Sequence, residues 1–128
     1  MIVGIGSDIA RVARFDMAMT RHGERFATRI LGPNEQCRFV GHPHPAAFLA
    51  KRFAAKEAFV KALGLGLRQG IQWGEIEILN DTLGKPHLQL CGIAAQRAAD
   101  AGVGKSHVSL SDEAEYAVAF VVLEQEAN

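Results

Sequence analysis

The 128-residue chain has no apolar run near the roughly 18 residues that a membrane helix requires, so no membrane is expected as a partner. Its start, MIVGIGSD, lacks the positive segment and long apolar core of a secretory signal, and a cytoplasmic protein is expected. It has no charge of one sign in excess: 14 basic and 14 acidic residues cancel, which removes the whole-molecule field a nucleic-acid or membrane binder would use. It has only two cysteines, Cys37 and Cys91, far apart and outside any C-x-x-C pair. That pattern reads as two buried free thiols in a reducing cytoplasm rather than a disulfide. Internal repeats, low-complexity tracts and Pro/Gly/Ser linkers are also missing, so residues 1–128 read as one domain, a size able to bury a real core.

What is present begins with an apolar strand, Ile2 to about Val12. Ile2, Val3, Ile5 and Ile9 suit a buried strand, and Gly4 and Gly6 mark a bend or a close backbone approach. A helical stretch from about Ala13 to Ile30 should break near Gly23. GPNEQCRFVGHPHP reads as a turn, a short helix capped by Asn34, and a Pro-rich loop. A long helix spans Ala46 to about Leu63, stopped by Gly64 and Gly66. Then the period changes from helical to alternating. EIEIL and HLQLC flank the turn chemistry of NDTLGKP, and a short Ala-rich helix covers Gly92 to Gly102. SHVSLSD and YAVAFVVLE close the chain as two strands, the last rich in β-branched residues. Helices gather early and strands late with antiparallel neighbours, which is α+β organisation.

Chemistry concentrates at few places. In RFAAKEAFVKALGLG the helix is apolar on nearly every face yet carries Lys56, Glu57 and Lys61. At 100° per residue, Ala50, Phe53, Val60 and Lys61 share the side of Glu57, while Phe48, Ala55, Phe59 and Ala62 lie opposite. Glu57 and Lys61 stand i, i+4, the spacing of a plain intrahelical ion pair worth about 0.2–0.5 kcal/mol. Covering a carboxylate with Phe53 and Val60 costs more than that, and a metal ion would alter the balance. Lys56 points about 100° away from Glu57 and carries no assigned chemistry. Asp8 is the lone acid of the first strand, either an end cap or, with a helix glutamate, half of a Mg²⁺ site. Arg11, Arg14, Arg21, Arg25 and Arg29 meet only Asp16 and Glu24 as acids within residues 11–29. They make either a solvated face or a docking surface for an acidic partner. No aromatic interleaving accompanies them, so nucleic acid is not expected.

Other patterns fail their tests. GVGKS lacks the first P-loop glycine, since Ala99 stands there, and a strand follows where a helix is needed. GIGSDI has Ile9 where a dinucleotide fingerprint needs glycine. His42 and His44 read as loop residues. In LGKP, Gly84 allows close backbone approach and Lys85 suits a phosphate; His107 and Ser109 share one strand face and suit binding better than nucleophilic catalysis.

Taken together, GIGSDIARVARF, FLAKRFAAKEAFVKALGLG, LNDTLGKPHLQL and HVSLSDEAEYAVAFVVLE resemble, in order along nearly the whole chain, the holo-[acyl-carrier-protein] synthases, the small 4′-phosphopantetheinyl transferases. The resemblance implies a single compact domain with an antiparallel sheet packed against one long helix. It implies transfer of phosphopantetheine from coenzyme A to a serine of apo acyl carrier protein, releasing 3′,5′-ADP, in support of fatty acid biosynthesis. By position it implies Asp8 and Glu57 as Mg²⁺ carboxylates, with Lys61 at the phosphates. Arg52 and His107 match positions near the 3′-phosphate and adenosine end, and Gly84, Lys85 and Pro86 match the loop by the adenine. Leu83 stands where some relatives have asparagine. Arg14, Arg21 and Arg25 fall in the segment used to dock the carrier protein. A homotrimer with active sites between subunits is implied as well.

Overall fold

The computed structural model describes residues 1–64 and 70–126. Its organising element is the long helix α4, Pro45–Leu63, which follows β1 (Ile2–Arg11), α1 (Val12–His22), α2 (Glu24–Ile30) and α3 (Pro33–Phe39). Pro45 opens α4, where a missing N–H costs nothing. Gly64 closes it in the left-handed region, φ +76°, donating back to the Val60 and Lys61 carbonyls. The expected second stop, Gly66, lies outside the described residues. The absence of a single polar stripe has the consequence that periodicity requires: α4 is covered on most of its circumference, with Leu49, Ala50, Ala54, Ala55, Ala58 and Phe59 wholly buried.

Two antiparallel sheets follow. β1, β5 (Tyr116–Gln125) and β4 (Val103–Glu113) form one, in the order β1-β5-β4; β2 (Ile76–Asn80) and β3 (Pro86–Leu90) form the other. The 3-10 turn Trp73–Glu75 precedes β2, and α5, Gly92–Asp100, links β3 to β4. Strand alternation decides what meets α4. On β5, Ala117, Ala119, Val121 and Leu123 point inward and are fully buried. Their register partners on β1 are Ala10, Asp8, Gly6 and Gly4. A Cβ at Gly4 would overlap the Ala62 carbonyl oxygen, and one at Gly6 the Ala58 carbonyl oxygen. These glycines are therefore the surface on which the helix backbone rests, and the next inward position on β1 is Asp8.

That geometry corrects the expectation of a buried apolar β1. Ile5 and Ile9 are 59% and 60% exposed, and Ile2 and Val3 are exposed too, because the glycines, not the branched residues, take the helix side. The helical break falls at Gly23, φ +65°, as expected. Asn34 is not the cap of α3. Gly32 takes that place, Pro33 is the first helical residue, and the Asn34 side chain donates to Glu77 instead. Cys37 and Cys91 are free, as expected, but exposed rather than buried. GVGKS runs directly into β4, so the rejected P-loop indeed has no helix behind it. Among the described residues, no helix is long and apolar enough to cross a membrane.

Candidate active site

Asp8 reaches the α4 side of β1, where Lys61 meets it: Lys61 Nζ lies 2.8 Å from Asp8 Oδ1 and donates also to the Ser7 carbonyl at 3.1 Å. The i, i+4 partner on the helix, Glu57, is not the ion-pair partner of Lys61; the strand carboxylate is. Glu57 stands in the field of the same group. Its carboxyl is pushed up from the ordinary value, first by partial burial and then by the like charge of Asp8, against the opposing pull of Lys61 and Arg14. The hydrogen bond to Asp8 in turn raises the Lys61 ammonium. Two carboxylates thus repel each other at this site, with Lys61 and Arg14 opposing their charge. Its donor set is two hard oxygens, which suits Mg²⁺, an ion that usually takes one or two protein carboxylates and completes its shell with water and phosphate. Among the described residues no group of three or more His, Cys, Asp or Glu side chains gathers, so the site does not resemble a closed structural metal cage.

Lys56, one residue from Glu57, proves to be core. It is fully buried, and its Nζ donates to Glu35 Oε1 at 2.6 Å and to the Trp73 carbonyl at 3.0 Å. Glu35 Oε1 also accepts the Gly32 N–H, and its Oε2 accepts the Ile78 N–H at 2.9 Å. Beside this hub, Glu77 takes both the N–H and the side-chain amide of Asn34, and the Glu35 N–H. The pair thus pins α3, α4 and β2 together. Burial lowers the Lys56 ammonium despite the attraction of Glu35. No sequence signal ties Lys56 to Glu35; the fold alone brings them together.

A second cluster lines a cleft of about 610 Å³ on another face of α4. Arg52 and Gly84 border it, joined by Arg38, His42, His44 and Lys51, which sequence reasoning left without a role. Basic groups outnumber Asp81 and Asp112, so the cleft suits an anion. His42 is held below its usual value by burial and by the neighbouring His44, Arg52 and Lys51. Lys85 lies in the Asp81–Lys85 turn, whose main chain is fixed by Asp81, and Pro86 begins β3. His107 is elsewhere: it pairs with Val122 in register, on the outer face of the sheet, and bonds Glu124 at 2.6 Å. Asp8 and His107 therefore stand on opposite faces of one sheet. Arg14 and Arg21 lie on α1 and Arg25 on α2; the break at Gly23 does not scatter them, because Arg21 borders both the Arg14–Met17 depression and the Arg25–Phe26 depression.

These features place the molecule among known proteins. Residues 4–121 match the family model of the 4′-phosphopantetheinyl transferase superfamily, and the chain belongs to that superfamily. It is 54% identical over 123 residues to the holo-[acyl-carrier-protein] synthase of Halorhodospira halophila, covering 96% of this chain and 98% of that one. The crystal structure of the holo-[acyl-carrier-protein] synthase of Neisseria meningitidis superposes with a TM-score of 0.92 at 41% identity, covering 98% and 100% of the two chains. The Bacillus anthracis holo-(acyl-carrier-protein) synthase in complex with CoA (3′,5′-ADP) superposes with a TM-score of 0.82 at 38% identity, covering 98% and 99%. The family, the α+β fold and the transferase class expected from the sequence motifs are borne out.

Proposed function

We propose that this chain is a holo-[acyl-carrier-protein] synthase: a cytoplasmic enzyme that moves 4′-phosphopantetheine from coenzyme A to a serine hydroxyl of apo acyl carrier protein, releasing 3′,5′-ADP, in support of fatty acid biosynthesis. The observation that carries this reading is the Asp8–Glu57–Lys61 cluster, built by a strand and a helix that glycines bring into backbone contact.

Asp8 and Glu57 would hold Mg²⁺, which supplies neutralisation of the pyrophosphate charge when bound. The chain's own residues do the rest. Lys61 is half exposed, so its ammonium can exchange the Asp8 contact for a phosphate oxygen without itself being desolvated. It brings positive charge to the phosphates as the bond to the leaving nucleotide breaks. Glu57, directly or through an intervening water, takes the serine proton as the serine oxygen bonds to the β-phosphorus. The bond between that phosphorus and the bridging oxygen breaks, and 3′,5′-ADP leaves with the electron pair. Positioning and electrostatics dominate such a transfer, and no covalent enzyme intermediate is needed.

The cleft at Arg52 and Gly84 supplies the surface for the 3′-phosphate and adenosine, with Lys85, Pro86 and His107 as further contacts. One chain holds Asp8 and His107 on opposite sheet faces, so one coenzyme A would meet both sets across a subunit boundary. The outer sheet face supports that reading: Ile5, Ile9, Val118 and Phe120 are all exposed side by side, an apolar patch of the kind that marks an interface. A homotrimer with active sites between subunits fits it. Arg14, Arg21 and Arg25 form the basic surface that would meet the acidic carrier protein.

The test is direct. The protein is mixed with apo carrier protein, coenzyme A and Mg²⁺, and the carrier is weighed by intact-mass spectrometry, with and without EDTA. A phosphopantetheine mass gain that EDTA abolishes is the expected result. No gain in the presence of Mg²⁺ would sink the proposal.

A further inference from the structure

Arg52 is one of the few charged side chains that the fold buries, at 5% exposure, while it still lines the basic cleft. How its guanidinium is held is unusual. From the inside, Glu35 Oε2 approaches Nε at 3.7 Å, close enough to fix charge but too long to fix direction as a hydrogen bond does. Nε accordingly has no hydrogen-bond partner among the described residues. From one side, the Phe48 ring stacks on the group with Cζ 3.8 Å from its centroid, which fixes the plane. Neither contact sets how the group is rotated within that plane. One contact does: Nη2 donates to Asn80 Oδ1 at 3.2 Å. The Asn80 amide nitrogen is itself fixed, because it donates to the Gly84 carbonyl at 2.9 Å. Asn80 is the last residue of β2, partly exposed, at the rim of the same cleft.

From this geometry we infer that Asn80 is a positioning residue for 3′-phosphate selectivity: it orients the Arg52 guanidinium toward the phosphate that distinguishes coenzyme A from its 3′-dephospho form. The inference rests on the proposed coenzyme A reading and on Arg52 as its 3′-phosphate contact. The physical reason is the planarity of the guanidinium. A bidentate or edge-on contact to phosphate depends on in-plane direction, whereas mere charge does not. Without Asn80, Arg52 keeps its charge and its ring but loses its direction. The second arm of Asn80, to Gly84, acts on the turn and so affects both forms of the cofactor alike.

The experiment measures kcat/KM for coenzyme A and for 3′-dephospho-coenzyme A with Asn80→Ala. It also measures calorimetric binding of 3′,5′-ADP and 5′-ADP to the same variant. The expected result is a fall of about five- to tenfold in the ratio favouring the 3′-phosphorylated ligand, the size that the net loss of one ordinary hydrogen bond sets. In an Arg52→Lys background, which lacks the Nη2 donor, the same change should leave the ratio almost untouched. An unchanged ratio for Asn80→Ala, with both ligands weakened equally or neither weakened, overturns the inference and leaves the coenzyme A reading standing. A wild-type protein without preference for the 3′-phosphorylated ligands overturns both. A melting temperature close to wild type, expected because Asn80 is at the rim rather than in the core, separates the effect from unfolding.

Discussion

Lys56→Met should destabilise the protein severely while its sequence neighbour, Glu57→Gln, should not. Lys56 Nζ and Glu35 Oε1 are 2.6 Å apart, and both side chains are inaccessible to solvent. At an effective dielectric of about 20 the gross attraction is about 6 kcal/mol. Desolvating two ions offsets most of it, in keeping with the lowered Lys56 ammonium, so the intact pair contributes little net stability. Breaking it is different. Methionine preserves the aliphatic stem but strands the Glu35 carboxylate with two backbone N–H donors and an Arg52 nitrogen at 3.7 Å. Removing one member of such a pair costs about 3–5 kcal/mol; the residual donors put this case near about 3 kcal/mol. For a chain of this size that lowers the melting temperature on the order of 10 °C. The assay is thermal and urea unfolding of wild type, Lys56→Met, Glu35→Gln and the double variant. The double variant should recover only part of the loss, since the Lys56–Glu35 charges are both gone but buried Arg52 then lacks its Glu35 contact. A single variant within about 0.5 kcal/mol of wild type would refute the reasoning.

Three further outcomes follow from the same geometry. Gly6→Ala should cost at least about 3 kcal/mol, beyond ordinary overpacking, because its Cβ meets the immovable backbone of α4; chemical denaturation checks this. In metal-free buffer, Glu57→Gln should melt no lower than wild type at pH 7. Its folded pKa is raised, so its contribution is favourable below its unfolded value and is lost as pH climbs through the folded one. The advantage of glutamine should therefore vanish at acid pH, and a lower melting temperature at pH 7 would contradict the cost of burying this carboxylate beside Asp8. Charge reversal at Arg14 or Arg21 should raise KM for carrier protein more than KM for coenzyme A, and added salt should weaken the wild type in the same sense. Equal effects on both substrates would point away from docking.

Much of the fold was legible because local signals and tertiary structure agree. The break at Gly23, the stop at Gly64 and the switch from helical to alternating period all rest on backbone rules that tertiary contacts did not override. The face of β1 was not legible. An apolar strand reads as buried, but which of its two faces meets the helix depends on the Ala58 and Ala62 carbonyls, more than fifty residues away. Sequence separation also hid the partners of the α4 lysines, 53 residues between Lys61 and Asp8 and 21 between Lys56 and Glu35. The helical wheel put Glu57 beside Lys61, yet Asp8 on the strand is the better-placed acceptor. It left Lys56 without chemistry, although Lys56 is the most buried cation in the chain's described core. Asp8 and Glu57 stood out as candidates because an acid in an apolar strand and an acid in an apolar helix both conflict with burial, and the family resemblance is what proposed them as metal carboxylates. Arg38, Lys51 and Asn80 violate nothing locally, and only the cleft reveals them.

The central claim is that Asp8 and Glu57 carry the transfer. Its most direct measurement is intact-mass spectrometry of apo carrier protein incubated with coenzyme A, Mg²⁺ and either Asp8→Asn or Glu57→Gln, each first shown to be folded by circular dichroism. The account expects both folded variants to leave the carrier almost entirely in its apo form while wild type converts it. Conversion by either variant at a rate near wild type would contradict it.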